Sequence, residues 1–207
     1  AIRAAQLGGD VTLVEKARLG GTCINVGCIP TKALLHASEV LETIRNGAAI
    51  GIDAGSPVVD WSRVQEHKNA IISQLVKGIH GLLGSNGVSL LQGEGSFLDE
   101  KTLAVRTGKG TEKIQGDVFI IASGSEPVSP PIPGIDLEGV IDSTGALELQ
   151  DIPSSMVIVG GGVIGIEFAS LYKSFGCDVT IIEMLPDILP GADREVASTM
   201  RRIFERK

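Results

Sequence analysis

Two periodicities divide the chain. Ala33, Leu34, Ala37, Val40, Leu41 and Ile44 recur at three- and four-residue steps and predict a helix that begins just after Cys28. Residues 62–83 repeat that helical spacing over a longer stretch. Short apolar runs at 156–159 and 117–122 predict buried strands. Residues 88–91, 103–107 and 112–115 predict a small antiparallel set, and 192–207 a helix. Ser129-Pro130-Pro131-Ile132-Pro133-Gly134 has too many prolines for a helix or central strand and predicts a surface connection.

One pattern occurs twice. DVTLVE at 10–15 returns as DVTIIE at 178–183, and each copy follows a helix-like stretch ending in glycine, 1–9 and 166–176. The second copy is preceded by the 156–159 strand and by Gly160-Gly161-Gly162-Val163-Ile164-Gly165, which fits G-x-G-x-x-G. Glu183 follows Gly165 by 18 residues, close to the ~20 expected of the carboxylate that binds an adenosine ribose. Strand, glycines, helix, strand and acid stand in order, so the pattern predicts a dinucleotide-binding unit. Glycines let backbone approach a pyrophosphate, and the helix start offers unpaired N–H groups. No Arg or Lys adjoins Glu183 to hold a 2′-phosphate, which favours NAD over NADP. In the first copy the counterpart of Gly165 would fall about four residues before Ala1, so the first glycine loop is expected to lie outside this sequence and the chain to be an internal fragment.

Cys23 and Cys28 are separated by four residues, and a helix follows. A thiol at a helix start faces the positive end of the dipole, which favours thiolate, and Lys32 adds a positive charge nearby. A structural disulfide here would close a six-residue loop and gain only about 2 kcal/mol. Zinc would want more ligands than His36, and a Cys–His hydrolase would leave the second cysteine and both dinucleotide units without a role. Redox chemistry accounts for the pair best. Cys177 opens a strand and reads as a small core residue, and His67 and His80 receive no role.

Composition narrows the partners. A net charge of -7 argues against nucleic acid or a membrane surface. No apolar run approaches the ~20 residues of a membrane-spanning helix. Three cysteines are too few for a secreted disulfide framework, which favours an intracellular setting, bacterial cytoplasm or, in a eukaryote, the mitochondrial matrix.

The segment GGTCINVGCIPTKALL at 20–35 resembles the redox-active signature of the class I pyridine nucleotide–disulfide oxidoreductases. IPTKALL, the opening AIRAAQLG and IIASGSEP at 120–127 are most similar to the dihydrolipoyl dehydrogenase branch. Thr31 stands where that branch usually has Ser, and Ser123 where the family turn usually has Thr. The resemblance implies an α/β fold with two Rossmann-like dinucleotide-binding units, the first bearing a small antiparallel insert and both truncated. The FAD-binding domain would span 1–149 and the NAD-binding domain 150–207, with the C-terminal dimerisation domain absent.

The same resemblance implies roles. Cys28 would face the flavin as its charge-transfer thiol, and Cys23 would exchange with the lipoyl disulfide. Lys32 would lie near the flavin and meet Glu167 near the nicotinamide. Glu15, Lys16, Gly21, Thr22, Gly95, Ser123 and Gly124 would line FAD, with Gly95 in a turn. Gly160, Gly162, Val163, Ile164, Gly165 and Glu183 would bind NAD. The implied reaction oxidises dihydrolipoamide, carried on the lipoyl domain of a 2-oxoacid dehydrogenase or glycine cleavage complex, in a homodimer whose general base is a C-terminal His. The 207 residues alone are therefore expected to be inactive. A mercuric or glutathione reductase-like enzyme, or a non-catalytic nucleotide-binding redox module, remains open at this point.

Overall fold

The computed structural model describes all residues, 1–207. The elements run α1 (Ile2–Gln6), β1 (Thr12–Glu15), α2 (Gly21–Val26), α3 (Cys28–Asn46), α4 (Trp61–Ser85), β2 (Ser89–Gln92), β3 (Glu94–Phe97), β4 (Thr102–Thr107) and β5 (Gly110–Gln115). Then come α5 (Ser143–Leu147), β6 (Ser155–Val159), α6 (Val163–Ser174), β7 (Asp178–Ile182) and α7 (Arg194–Phe204). They form two compact units, Ala1–Asn25 with Ile72–Glu126, and Val26–Ile71 with Pro127–Lys207.

In the first unit β1 and β2 form a parallel ladder, Thr12 opposite Ser89 and Glu15 opposite Gln92. This corrects the expectation that 88–91 belongs to the antiparallel set. Period-2 apolarity shows that a segment can be a strand, but its direction depends on the partner it finds. The antiparallel sheet is β3–β4–β5, with β4 central. Leu19, Leu83 and Val88 are the buried centre of this unit, with Ile2, Ala5, Leu13, Val76, Ile79 and Leu90 packed around them.

A second correction concerns 117–122. These residues form no ladder, and Val118, Ile120 and Ile121 are 76–81 % exposed. The ladder that begins at β1 has two strands only, and this apolar run joins neither of its outer edges.

The second unit is built round β6, α6 and β7, with β6 and β7 parallel from Ser155↔Asp178 to Val159↔Ile182. The expected buried strand at 156–159 is half-buried: Met156 and Ile158 pack on the core while Val157 and Val159 are exposed. One face of the ladder carries α6 and the other is uncovered, so burial alternates. Ile166, Phe168, Ala169, Leu171 and Tyr172 are buried on α6. Of these, Phe168, Leu171 and Tyr172 cluster with Leu34 of α3, Ala146 and Leu147 of α5, and Trp61 at the start of α4. Trp61 packs edge-on against Phe175 at 5.1 Å between centroids and lies 6.1 Å from Tyr172.

The polar tips in this core are satisfied. Trp61 Nε1 donates to Leu149 O at 2.9 Å, and the Tyr172 hydroxyl donates to Ala146 O. Burial pushes that hydroxyl up to about 12. Lys68 is fully buried, and its ammonium donates to Leu147 O at 2.6 Å and Glu148 Oε1 at 3.2 Å. A buried cation is tolerated only with such partners.

Trp61→Ala is expected to cost about 3–5 kcal/mol, because it empties the centre of this cluster. Trp61→Phe is expected to cost less, keeping the ring contact and losing the Nε1 bond. Urea unfolding followed by far-UV circular dichroism measures both, since Trp61 is the only tryptophan and fluorescence disappears with it.

Candidate functional site

The glycine loop between β6 and α6 is the most constrained part of the second unit. Gly160 has a φ of 112°, a conformation L side chains rarely adopt, and its N–H extends the ladder by donating to Ile182 O at 2.8 Å. A Cβ on Gly165 would stand 2.1 Å from Gly160 O, so a side chain there is excluded by backbone. A Cβ on Gly162 would meet nothing within 4 Å, so the space in front of it is open.

Gly162 caps α6 with no side-chain bond, and the first helical bond from this turn is Ile166 N to Gly162 O at 3.0 Å. The N–H groups of Val163, Ile164 and Gly165 are thus those of the first helical turn, which have no intrahelical acceptor. Val163 and Ile164 are both exposed there. This is a donor set suited to an anion.

Glu183, just after β7, returns to the loop. Its Oε1 accepts from Leu185 N at 2.8 Å and its Oε2 from Gly161 N at 2.7 Å. Those two backbone donors hold its carboxyl below the usual carboxylate range.

In the same unit Cys28 is the first residue of α3, exposed and present as a free thiol. Pro30 is tolerated because it lies in the first turn, where no N–H is needed. Thr31 is buried, and its hydroxyl donates to Gly27 O at 2.7 Å, immediately before the cysteine. That bond supplies a reason for a hydroxyl residue at this position, which sequence reading noted only as a departure.

Lys32, one turn after Cys28, pairs with Glu167 of α6 at 2.5 Å. This pair joins the cysteine helix to the helix of the glycine loop.

The first unit gathers a separate set. Glu15 ends β1, and its Oε1 accepts from Ala17 N at 2.8 Å. Lys16 Nζ lies 3.4 Å from Glu126 Oε1, and the Thr22 hydroxyl donates to Ser125 O at 3.4 Å. A Cβ on Gly124 would come within 3.8 Å of that hydroxyl. Glu15, Lys16, Gly21, Thr22 and the exposed Ser123-Gly124-Ser125-Glu126 segment belong to one unit, and two direct contacts, Lys16–Glu126 and Thr22–Ser125, join its two stretches of chain. Cys23 is exposed on α2.

Gly95 is a correction. It lies inside β3 rather than in a turn, and a Cβ there would press on Leu103 Cδ2 at 3.0 Å. The sterically required glycine is its neighbour Gly93, where a Cβ would stand 2.7 Å from Arg106 O. Cys177 is buried, and burial raises its thiol above the ordinary value, in keeping with a core role. No helix is long and apolar enough to cross a membrane.

With this geometry in hand, comparison with known proteins gives a consistent result. The sequence profile of pyridine nucleotide-disulphide oxidoreductases matches residues 1–207. The chain is 45 % identical over 209 residues to a dihydrolipoyl dehydrogenase of Bacillus subtilis, covering 100 % of the chain and 45 % of that protein. It is 42 % identical to that of Geobacillus stearothermophilus, covering 44 % of it. Among solved structures, the HOCl-induced flavoprotein disulfide reductase RclA from Escherichia coli superposes with a TM-score of 0.84 at 35 % identity, covering 100 % of this chain and 44 % of that one. The chain thus spans less than half the length of the relatives it matches.

Two outcomes follow for the loop. Gly165→Ala is expected to cost about 1–3 kcal/mol or more through the clash with Gly160 O, while Gly162→Ala costs no more than about 1 kcal/mol. Urea midpoints of the two variants separate them. For Glu183 the sign is that of a depressed carboxylate. Its contribution is present above the unfolded pKa and is lost as pH falls through the folded one. The gap in urea midpoint between wild type and Glu183→Gln is therefore expected to be widest near neutral pH and to shrink below the ordinary value of 4.5.

Proposed function

Because the chain belongs to the pyridine nucleotide-disulphide oxidoreductase family, we propose that its full-length protein is a dihydrolipoyl dehydrogenase that uses Cys23, Cys28, FAD and NAD. The observation that carries this reading is the Lys32–Glu167 pair. It ties the helix that starts at Cys28 to the helix that starts at the glycine loop, as electron transfer between a thiol pair and a nicotinamide requires. Close relatives named dihydrolipoyl dehydrogenase support the substrate class.

The residues fit both cofactors. Gly160, Gly162, Val163, Ile164 and Gly165 would hold the NAD pyrophosphate at the open turn of α6, with Glu183 on the adenosine ribose. Glu183 is kept ionised by its two backbone donors, and residues 184–192 contain no base, so a 2′-phosphate would meet repulsion. Glu15, Lys16, Gly21, Thr22, Ser123 and Gly124 would line FAD, and Gly95 would approach it only through backbone. Residues 117–122 would pair with a strand supplied by the rest of the full-length protein. On this reading the two parallel ladders are two dinucleotide-binding units, and β3–β4–β5 is an insert in the first.

When bound, FAD supplies the electron relay between sulfur and nicotinamide. One lipoyl thiol would attack Cys23 of the Cys23–Cys28 disulfide and release Cys28 as the thiol, and the second lipoyl thiol would displace Cys23, leaving a lipoyl disulfide and a Cys23/Cys28 dithiol. Lys32, oriented by Glu167, would stand near the relay. The balance is one dithiol and NAD+ giving one disulfide, NADH and a proton. The lipoyl domain of a 2-oxoacid dehydrogenase or glycine cleavage complex would present the dithiol to a homodimer.

In the full-length protein, flavin absorbance and dihydrolipoamide-dependent NAD+ reduction are expected, with a long-wavelength band on partial reduction. Cys28→Ser is expected to abolish the band and lower turnover roughly 10³-fold or more, as removal of a nucleophile does elsewhere. A flavoprotein that reduces another disulfide and ignores dihydrolipoamide would keep the family and overturn the substrate.

A further inference from the structure

Between β7 and α7 a strap of chain, residues 184–192, lies against the second glycine loop. Leu189 in this strap is the one non-glycine residue with a left-handed backbone, at φ 55°. Two local preferences oppose that conformation. A leucine Cβ is crowded there, and Pro190 pushes the residue before it toward extended backbone. Something else in the structure must hold it.

Leu189 N–H donates to Gly161 O at 2.7 Å, and Ala192 N–H closes the turn on Leu189 O at 3.0 Å. Gly161 N–H is meanwhile taken by Glu183. Both backbone groups of the loop's middle glycine are thus fixed, one by the strap itself and one by Glu183 just before it. Ile188 Cγ2 would stand 3.1 Å from a Cβ at Gly161, so the strap is in close contact there. Its other side is anchored to α7: Arg201 Nη1 donates to Pro186 O at 3.3 Å, lies 4.0 Å from Asp187 Oδ1, and has its Nε on Glu205 at 2.9 Å.

We infer that Leu189 is a positioning residue for the NAD(H) site, acting through its backbone. The left-handed turn aims its N–H at Gly161 O and holds the loop still, so that the N–H groups from Gly162 to Gly165 stay in register for the pyrophosphate. The inference rests on the dinucleotide reading proposed above. Its chemistry differs from direct contact: Leu189 spends conformational strain to orient a neighbour, and its side chain is incidental.

The test is NADH affinity of the full-length flavoprotein, with KM and kcat for NADH, flavin absorbance and Tm measured alongside. Leu189→Val keeps the N–H but its β-branch resists the left-handed region. It is expected to weaken NADH binding about 5–30-fold and to raise KM, with kcat, flavin spectrum and Tm held. Leu189→Gly accepts the conformation and keeps the donor, so it should rescue affinity. Wild-type affinity in the valine variant overturns the inference, as does equal weakening by valine and glycine, which would put the effect in the side chain. Should Leu189→Val not fold, Arg201→Met releases the strap's second anchor without touching the loop; an unchanged KM in that variant overturns it as well. A wild-type protein that binds no NADH sinks the parent reading itself, and this inference with it.

Discussion

In the second unit the seam between α3 and α6 governs where the reactive groups stand. Leu34 on one helix and Phe168, Leu171 and Tyr172 on the other are almost completely buried, and Trp61 closes the end of the cluster. Each such side chain contributes about 1.5–3 kcal/mol by leaving water. The Lys32–Glu167 pair beside it is more than half exposed on the lysine side, where an ion pair is worth about 0–1 kcal/mol. The magnitudes settle the order of cause. Apolar packing fixes the two helices, and the ion pair inherits its geometry. Its value is chemical: it sets a charge one turn from Cys28 that the seam keeps in place.

Much of this was legible in the sequence, because it is encoded locally. The repeat DVTLVE and DVTIIE located β1 and β7, the glycine pattern located the start of α6, and helical spacing located α3 and α4 to within a few residues. The Lys32–Glu167 pairing crosses 135 positions and was legible only through family resemblance, since spacing alone does not bring those residues together. The buried Lys68 was invisible for the same reason, with no resemblance to reveal it. Its partners are the Leu147 carbonyl and Glu148, and a lysine among helical residues looks like any solvated one until those carbonyl and carboxylate oxygens are placed.

The strand assignments failed where they depended on a neighbour. Residues 88–91 have the apolar content of a strand, but whether such a segment runs parallel or antiparallel is decided by the edge it pairs with, and that edge is β1. Residues 117–122 have the composition of a central strand and no ladder, leaving three large apolar side chains in solvent. A contiguous exposed run of that kind marks a surface meant to be covered. Strand propensity measures fitness for a sheet and is silent on whether the sheet is there.

The four glycines of the second loop show how little of a motif's physics its letters reveal. Gly160 is needed for its φ, Gly165 for the carbonyl that leaves no room for a Cβ, and Gly162 for the open space it faces. Gly161, the position that the G-x-G-x-x-G pattern leaves unspecified, is crowded by Glu183 and Ile188 and has both backbone groups bonded within the chain. The loop is therefore rigid at its centre and open at its exit. That is the arrangement an anion site wants, since donors already aligned need no ordering when the charge arrives. Rigidity here does not come from glycine, which loosens a chain. It comes from Glu183 and the strained turn at Leu189, which sit outside the motif and turn a flexible sequence into a fixed one.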